Sequence, residues 1–240
     1  MKKYYPEGLL IEKKYNKKIG VCFNMRYYPT VMMVKQMLDE GVIGDIYTAN
    51  LEWMLARGKT NGAHGASYYR RWNGEMAKSG GLLITKATHH FDMANWFIGD
   101  EIISVKATLS NRGHKTVEVE DTAEGFIEYK NGATLGFWVM NNYGYDEPIE
   151  IRLYCENGVA IMDYDHATIT YKDGTVVTDS TDMKSQLTYD GGDMYLGFQH
   201  IRQIADFYKS IENDEEPYIS GKEALKIQKL ICDIYKNKVN

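Results

Sequence analysis

Ser79-Gly-Gly-Leu-Leu-Ile-Thr-Lys-Ala-Thr-His-His-Phe-Asp-Met-Ala-Asn-Trp-Phe-Ile-Gly99 is the stretch on which the reading of this chain turns. It sets a glycine pair, a lysine, two histidines and an aspartate among residues of core type. Proton-moving groups inside an apolar segment break the inside/outside pattern, and such breaks tend to mark function. Gly80 and Gly81 permit a turn or a close backbone approach. Leu82, Leu83 and Ile84 form a short apolar run. From Thr88 the pattern turns helical: Phe91, Asn95 and Ile98 share one face, while Met93, Trp96 and Phe97 supply another apolar surface. Thr88 is the expected N-cap and Gly99 the expected C-terminal cap. Lys86, His89 and His90 would then lie at or near a helix N-terminus, where free N–H groups and the positive dipole end favour a bound oxygen or anion. His89 and Asp92 stand three apart and are neighbours on a helix surface, so Asp92 can orient His89 and fix its tautomer for acid–base work.

Outside this segment the chain reads as helix over 9–17 and 31–40, then strand over 45–55. A long polar and aromatic loop follows at 57–78, and loops of that length in compact domains are usually functional. Strand-like runs cover 102–109, 122–129, 133–140, 149–155, 159–163, 168–171 and 175–178. Asn131-Gly132, Glu156-Asn157-Gly158 and Asp173-Gly174 are hairpin turn signals. Two helices close the chain within 198–238. The expected fold class is α+β: a large, predominantly antiparallel open β-sheet with helices on one face. Phe137 and Trp138 fall on alternating sides of one strand, and an aromatic-rich open face points to dimerisation sheet to sheet.

Composition excludes several classes. A net charge of −5 argues against nucleic acid as a partner. Cys22, Cys155 and Cys232 are scattered and odd in number, as expected of buried thiols in a reduced, cytoplasmic protein. The first residues are charged with no apolar core behind them, so no signal peptide is read, and no apolar run approaches a membrane span. Nineteen tyrosines suit sheet surfaces and also faces that meet carbohydrate or another subunit.

The stretch from Ser79 resembles the glucose–fructose oxidoreductase / inositol dehydrogenase / rhizopine-catabolism (Gfo/Idh/MocA) family. The family pattern is a glycine pair, a few apolar residues, Asp-x-x-x-His-x-x-Asp, a short helix and a Trp. His89 to Asp92 matches its second half. The first Asp falls on Thr85, a departure, and Lys86 follows at once. One branch carries Lys-x-Thr-His-His-Phe-Asp here, as this chain does from Lys86 to Asp92. Further matches are Val21-Cys-Phe-Asn-Met-Arg-Tyr27, which is similar to the strand leaving the cofactor domain with its Asn-x-Arg at Asn24 and Arg26, and the turn from Gly41 to Ile46. His64 to Trp72 resembles the substrate loop, and Ser220-Gly-Lys-Glu-Ala224 the start of the last helix.

The resemblance implies a dehydrogenase of a sugar, sugar derivative or cyclitol, using NAD or NADP in the complete enzyme. It implies His89 and Lys86 as catalytic residues, Asp92 as the residue that orients His89, and Arg70, Arg71, Trp72, His90, Asn24 and Arg26 as substrate-binding residues. The plain alternatives are a buried helix-start histidine at His89, ion pairs in a surface loop at Arg70–Trp72, and structural roles at the domain junction for Asn24 and Arg26. A metal on His89, His90 and Asp92 is set aside, since adjacent histidines point apart and no third ligand stands at metal spacing. No Gly-x-Gly-x-x-Gly turn with a later acidic residue occurs, nor does the family's Glu-Lys-Pro. Glu12-Lys13-Lys14 has no proline after it and reads as a solvated helix face. Residues 1–20 are therefore expected to be a remnant of the cofactor-domain junction. Residues 21–240 are expected to form the substrate-binding and oligomerisation domain, binding no dinucleotide tightly by itself. A second reading is a non-catalytic sugar-binding or assembly module, and a third is a hydrolase that uses nicotinamide for redox-assisted elimination.

Overall fold

Alternating apolar residues and glycine-bearing turns fold the middle of the chain into one eight-stranded sheet. The structure is a computed structural model, and it describes residues 7–55, 74–114, 117–145, 147–180 and 197–239. The strands are β1 (Ile46–Met54), β2 (Ile102–Ser110), β3 (Thr122–Tyr129), β4 (Thr134–Met140), β5 (Glu150–Cys155), β6 (Gly158–Met162), β7 (His166–Tyr171) and β8 (Val176–Ser180). Their order is β2-β3-β4-β1-β5-β6-β7-β8. Every neighbouring pair is antiparallel except β1 and β4, which run parallel with Leu51 opposite Phe137. The sequence signals for the β3–β4 and β7–β8 hairpins hold: Gly132 and Gly174 both take φ of 87°, the left-handed region that suits glycine.

The pleat sends alternate residues to opposite faces. Leu51, Ile127, Leu135, Phe137 and Ile151 are fully buried on one face, while Trp138 on the other is 41% exposed. Phe137 meets the ring of Phe91 edge-on at 5.0 Å, which ties the sheet to the helix behind it. The helices are α1 (Glu7–Tyr15), α2 (Pro29–Asp39), α3 (Thr88–Ile98), α4 (Gly197–Glu212) and α5 (Gly221–Lys236), with a single 3₁₀ turn at Asn24–Tyr27. Pro29 opens α2, where its missing N–H costs nothing and its fixed φ suits the helix. Val31 and Val34 of α2, and Phe91, Ala94 and Phe97 of α3, enter the same core as the sheet. The expected α+β architecture, an open and mainly antiparallel sheet with helices packed on its apolar face, is the one observed. No helix among the described residues is long and apolar enough to cross a membrane.

Two local expectations fail. Val21–Tyr27 is not a strand: Gly20 makes one bridge to Ser220, and Asn24–Tyr27 then closes into the 3₁₀ turn. Alternation would have sent Asn24 and Arg26 out of the core, but both are buried, Arg26 through an ion pair described below. Cys22 is exposed rather than buried, with Sγ 3.2 Å from Oε1 of Gln203, whereas Cys155 is buried.

The entry to β3 is fixed by Asp121, whose side chain is fully buried. It accepts hydrogen bonds from the backbone N–H groups of Arg112 (2.9 Å), Gly113 (2.7 Å) and His114 (3.0 Å), and its Oδ1 accepts one from Asn142 Nδ2 at 2.8 Å. Burial pushes this carboxyl up, but the donors of His114, Arg112, Gly113 and Asn142 outweigh it and hold the group well below its ordinary value. A depressed carboxylate contributes stability above its unfolded pKa and loses it as pH falls through the folded one. The contribution of Asp121 should therefore fade below about pH 4, and Asp121→Ala should cost about 2–3 kcal/mol at pH 7, since it strands several buried donors. Urea unfolding at pH 7 and pH 3 checks both, with a smaller difference between wild type and variant expected at pH 3.

Candidate functional site

Glu120, next to Asp121 in the chain, starts the helix that carries the histidines. Its Oε1 accepts the backbone N–H of Leu83 at 3.0 Å and the hydroxyl of Tyr235, from α5, at 2.7 Å. Burial pushes this carboxyl up. Gly81 makes the contact possible: a Cβ there would fall within 2.3 Å of the Glu120 carboxylate. Helical backbone accordingly begins at Leu82, and Leu83–Ala87 is a π-helical turn leading directly into α3. Thr88 is therefore not an N-cap. Its hydroxyl bonds back to the carbonyl of Ile84, as Thr85 does to Gly81, the back-bonding typical of threonine inside a helix. Lys86, His89 and His90 thus stand beyond the first helical turn rather than at a free N-terminus. π-turns inside helices are rare and recur at functional sites. At the other end the expected cap holds: Gly99 has φ of 72° and its N–H bonds to the carbonyl of Asn95.

Asp92 does not orient His89. It faces Arg26, with Nε to Oδ2 at 2.8 Å and Nη2 to Oδ1 at 2.5 Å. The pair is buried, and Glu223 of α5 stands 3.8 Å from the same guanidinium. Burial pushes the Asp92 carboxyl up to about 6, against the pull of Arg26. The guanidinium also lies 5.3 Å from the centre of the Trp96 ring. Arg26 is thus committed to Asp92 rather than to a substrate. A two-point fork between guanidinium and carboxylate leaves Asp92 nothing to offer His89.

The other predicted residues converge. Asn24, Lys86, His89 and His90 line a cleft of 680 Å³ at one end of the sheet. His89 is half-buried, with its ring edge-on to Phe23 at 5.7 Å and its Nδ1 buried without a hydrogen-bond partner among the described residues. Burial, then the charges of His200 and Lys86, push its pKa below the ordinary histidine value, so the ring is neutral at pH 7. His90 is fully buried, and burial pushes it down to about 3. Its Nε2 lies 2.7 Å from the hydroxyl of Tyr164, and its ring packs on Trp53 with centroids 3.9 Å apart. Arg70, Arg71, Trp72 and His64 lie outside the described residues, as do Gly191, Gly192 and Asp193.

Sequence reasoning did not single out the rest of the cleft. Trp53 and Leu55 come from the end of β1, Glu147 and Pro148 from the approach to β5, and Asp163–His166 from the β6–β7 turn. His200 comes from α4 and Tyr28 from the start of α2. The one local signal was Asp163-Tyr-Asp-His166, two carboxylates and a histidine around a tyrosine in a hairpin turn. Together these residues make an aromatic-walled cleft with a neutral imidazole and an ammonium on one side. Such a site can hold a polyhydroxylated molecule and move a proton from it.

Comparison with known proteins agrees with the fold. Residues 31–161 match the family of the GFO/IDH/MocA C-terminal domain. The putative oxidoreductase YteT of Bacillus subtilis is 42% identical over 88 residues, which is 37% of this chain and 19% of that protein. Myo-inositol 2-dehydrogenase of Thermotoga maritima is 26% identical over 225 residues, covering 84% of this chain and 56% of that enzyme. Among solved structures, levoglucosan dehydrogenase in complex with NADH and levoglucosan superposes with a TM-score of 0.77 at 23% identity, covering 92% of this chain and 64% of that one. The chain therefore spans less than two thirds of the length of each of these proteins. More than half of its residues fall within the matched domain, and the chain belongs to the GFO/IDH/MocA oxidoreductase family.

Proposed function

We propose that this chain is the substrate-holding part of a nicotinamide-dependent dehydrogenase that acts on a hydroxyl of a sugar, sugar derivative or cyclitol. The observation that carries the reading is the neutral His89 beside Lys86 on the wall of an aromatic-lined cleft. A neutral imidazole can accept the proton of a bound hydroxyl, and the Lys86 ammonium stabilises the negative oxygen that develops as the C–H bond is broken. Tyr164, held by His90, and Trp53 offer faces on which a sugar ring packs. Arg70, Arg71 and Trp72 keep the substrate-wall role that the family resemblance gives them, and Asn24 adds a polar group to the lining of the cleft.

The residues present do not fit a whole dinucleotide. No Gly-x-Gly-x-x-Gly turn occurs in the 240 residues, so the pyrophosphate has no seat of the usual kind in them. A dinucleotide, NAD or NADP, held by a dinucleotide-binding domain outside these residues would supply the hydride acceptor. This chain holds the alcohol and receives its proton. Residues 1–20 are read as the junction to that domain. The aromatic-bearing open face of the sheet is read as the surface on which copies of the chain assemble.

Calorimetric titration of the chain with neutral sugars and cyclitols, and separately with NADH and NADPH, tests the reading. Binding of at least one polyol in the cleft, with His89 ring resonances shifting, and weak dinucleotide binding are expected. Tight dinucleotide binding would sink the assignment of the cofactor site, and a polyol that binds without touching His89 would favour a non-catalytic module.

A further inference from the structure

Resting on that proposed function, we infer that Glu120 is a positioning residue for the reaction: by holding the first turn of the site helix it forces the π-turn at Leu83–Ala87 and so directs Lys86 towards His89 in the cleft. Glu120 is not itself among the described residues that line the cleft.

The site helix is pinned at both ends. At its start the Glu120 carboxylate accepts the N–H of Leu83, and the Glu120 carbonyl accepts the N–H of Leu82 at 3.3 Å. Glu120 cannot follow the helix if the helix shifts. The backbone of its neighbour Asp121 donates to the carbonyl of Ser110 at 3.1 Å and accepts the N–H of Asn141 at 2.9 Å, which ties this corner to the ends of β2 and β4. Further along, Phe91 against Phe137 and Asp92 against Arg26 fix the rotation of α3 about its axis. The last helix, α5, braces both pins, with Tyr235 on Glu120 and Glu223 3.8 Å from Arg26.

A π-turn spends one residue more than an α-helical turn does. With both ends held, the surplus residue is absorbed between them, and each residue of offset rotates a side chain by about 100° around the axis. Lys86 belongs to that turn, lines the cleft with His89, and is one of the charges that lower the His89 pKa. Released from Glu120, the segment relaxes towards ordinary α-helical turns, and Lys86 rotates out of line with His89. Gly81 keeps the seat open, because a Cβ there would displace the carboxylate from Leu83.

Histidine NMR titration of the full chain tests this without any substrate, the His89 resonance being assigned by its loss in His89→Ala. Glu120→Ala should raise the His89 pKa towards the ordinary histidine value as Lys86 turns away, while His200, the other charge that lowers it, stays in place on α4. Glu120→Gln should leave it at the wild-type value, since an amide oxygen still accepts both donors. Gly81→Ala should raise it as Glu120→Ala does, and it serves where Glu120→Ala fails to fold. In a Lys86→Gln background neither change should add a further rise. In the dehydrogenase assembled with its dinucleotide-binding domain, Glu120→Ala should lower kcat about 10- to 100-fold with KM little changed, the scale of a misplaced catalytic group. A His89 pKa that stays put in both alanine variants, with only the thermal midpoint lowered, overturns the inference. So does a fall in both Glu120 variants, which is the sign of a lost negative charge rather than of a displaced lysine. A rise that persists in the Lys86→Gln background overturns it as well. Failure of the cleft to bind any polyol sinks the dehydrogenase reading instead, and the anchoring of Lys86 is then decided by the titrations alone.

Discussion

Arg26→Ala is expected to cost about 3–5 kcal/mol of folding stability, because it leaves Asp92 as an uncompensated charge in the core. The Asp92 side chain has no solvent exposure, and both of its oxygens are spent on the guanidinium. Arg26 comes from the 3₁₀ turn and Asp92 from α3, so the pair joins the N-terminal segment to the helix that carries the site. Urea unfolding should show the midpoint falling with its slope unchanged. Replacing both partners by apolar residues, Arg26→Met with Asp92→Leu, should recover most of the loss, since desolvating an ion pair costs nearly what the pair returns. The pH dependence has a definite sign. A carboxyl raised to about 6 from 3.8 contributes stability below pH 4 and loses it as pH rises towards 6. Without Arg26 the carboxyl rises further, so the deficit of the variant should widen between pH 5 and 8. Equal midpoints for variant and wild type would mean that Asp92 is not held by this pair.

What the sequence made legible was local, and what it hid lay far along the chain. Alternation and the Asn131-Gly132 and Asp173-Gly174 turns marked β3, β4, β7 and β8 because a hairpin is decided by adjacent residues. The parallel pairing of β1 with β4 carries no such signal, since it joins segments more than 80 residues apart. The helix start was misplaced for the same reason. Gly80-Gly81 reads as a turn, and the carboxylate that caps Leu83 belongs to Glu120, 37 residues on. His-x-x-Asp spacing correctly made His89 and Asp92 neighbours on one helix but could not show that Arg26, 66 residues away, takes up Asp92 first. Lys86, His89 and His90, which line the cleft, stood out because three polar residues crowd an apolar segment. Trp53, Glu147, Tyr164 and His200 were not, because each is ordinary where it stands and gains its meaning only where strand ends and helix starts meet.

His89→Ala should lower turnover about 10²- to 10⁴-fold in the dehydrogenase assembled with its dinucleotide-binding domain, the range that a positioned general base supplies. Substrate affinity should change little, because Trp53 and Tyr164 remain in place. Stability should also change little: His89 is half-buried, and its Nδ1 has no partner among the described residues to lose. The pH profile separates a base from a packing residue. A histidine pushed below its ordinary pKa keeps its lone pair well into mildly acidic solution, so the acidic limb of turnover should lie below the usual histidine range. Lys86 is one cause of that depression, so Lys86→Gln should lift the His89 pKa and move the limb upward, besides lowering turnover. A histidine that merely fills space would leave the limb where it is in Lys86→Gln. Its alanine variant would also turn over at nearly the wild-type rate. Either result would remove His89 as the base and send the proton to Lys86, whose loss alone would then account for the whole rate effect.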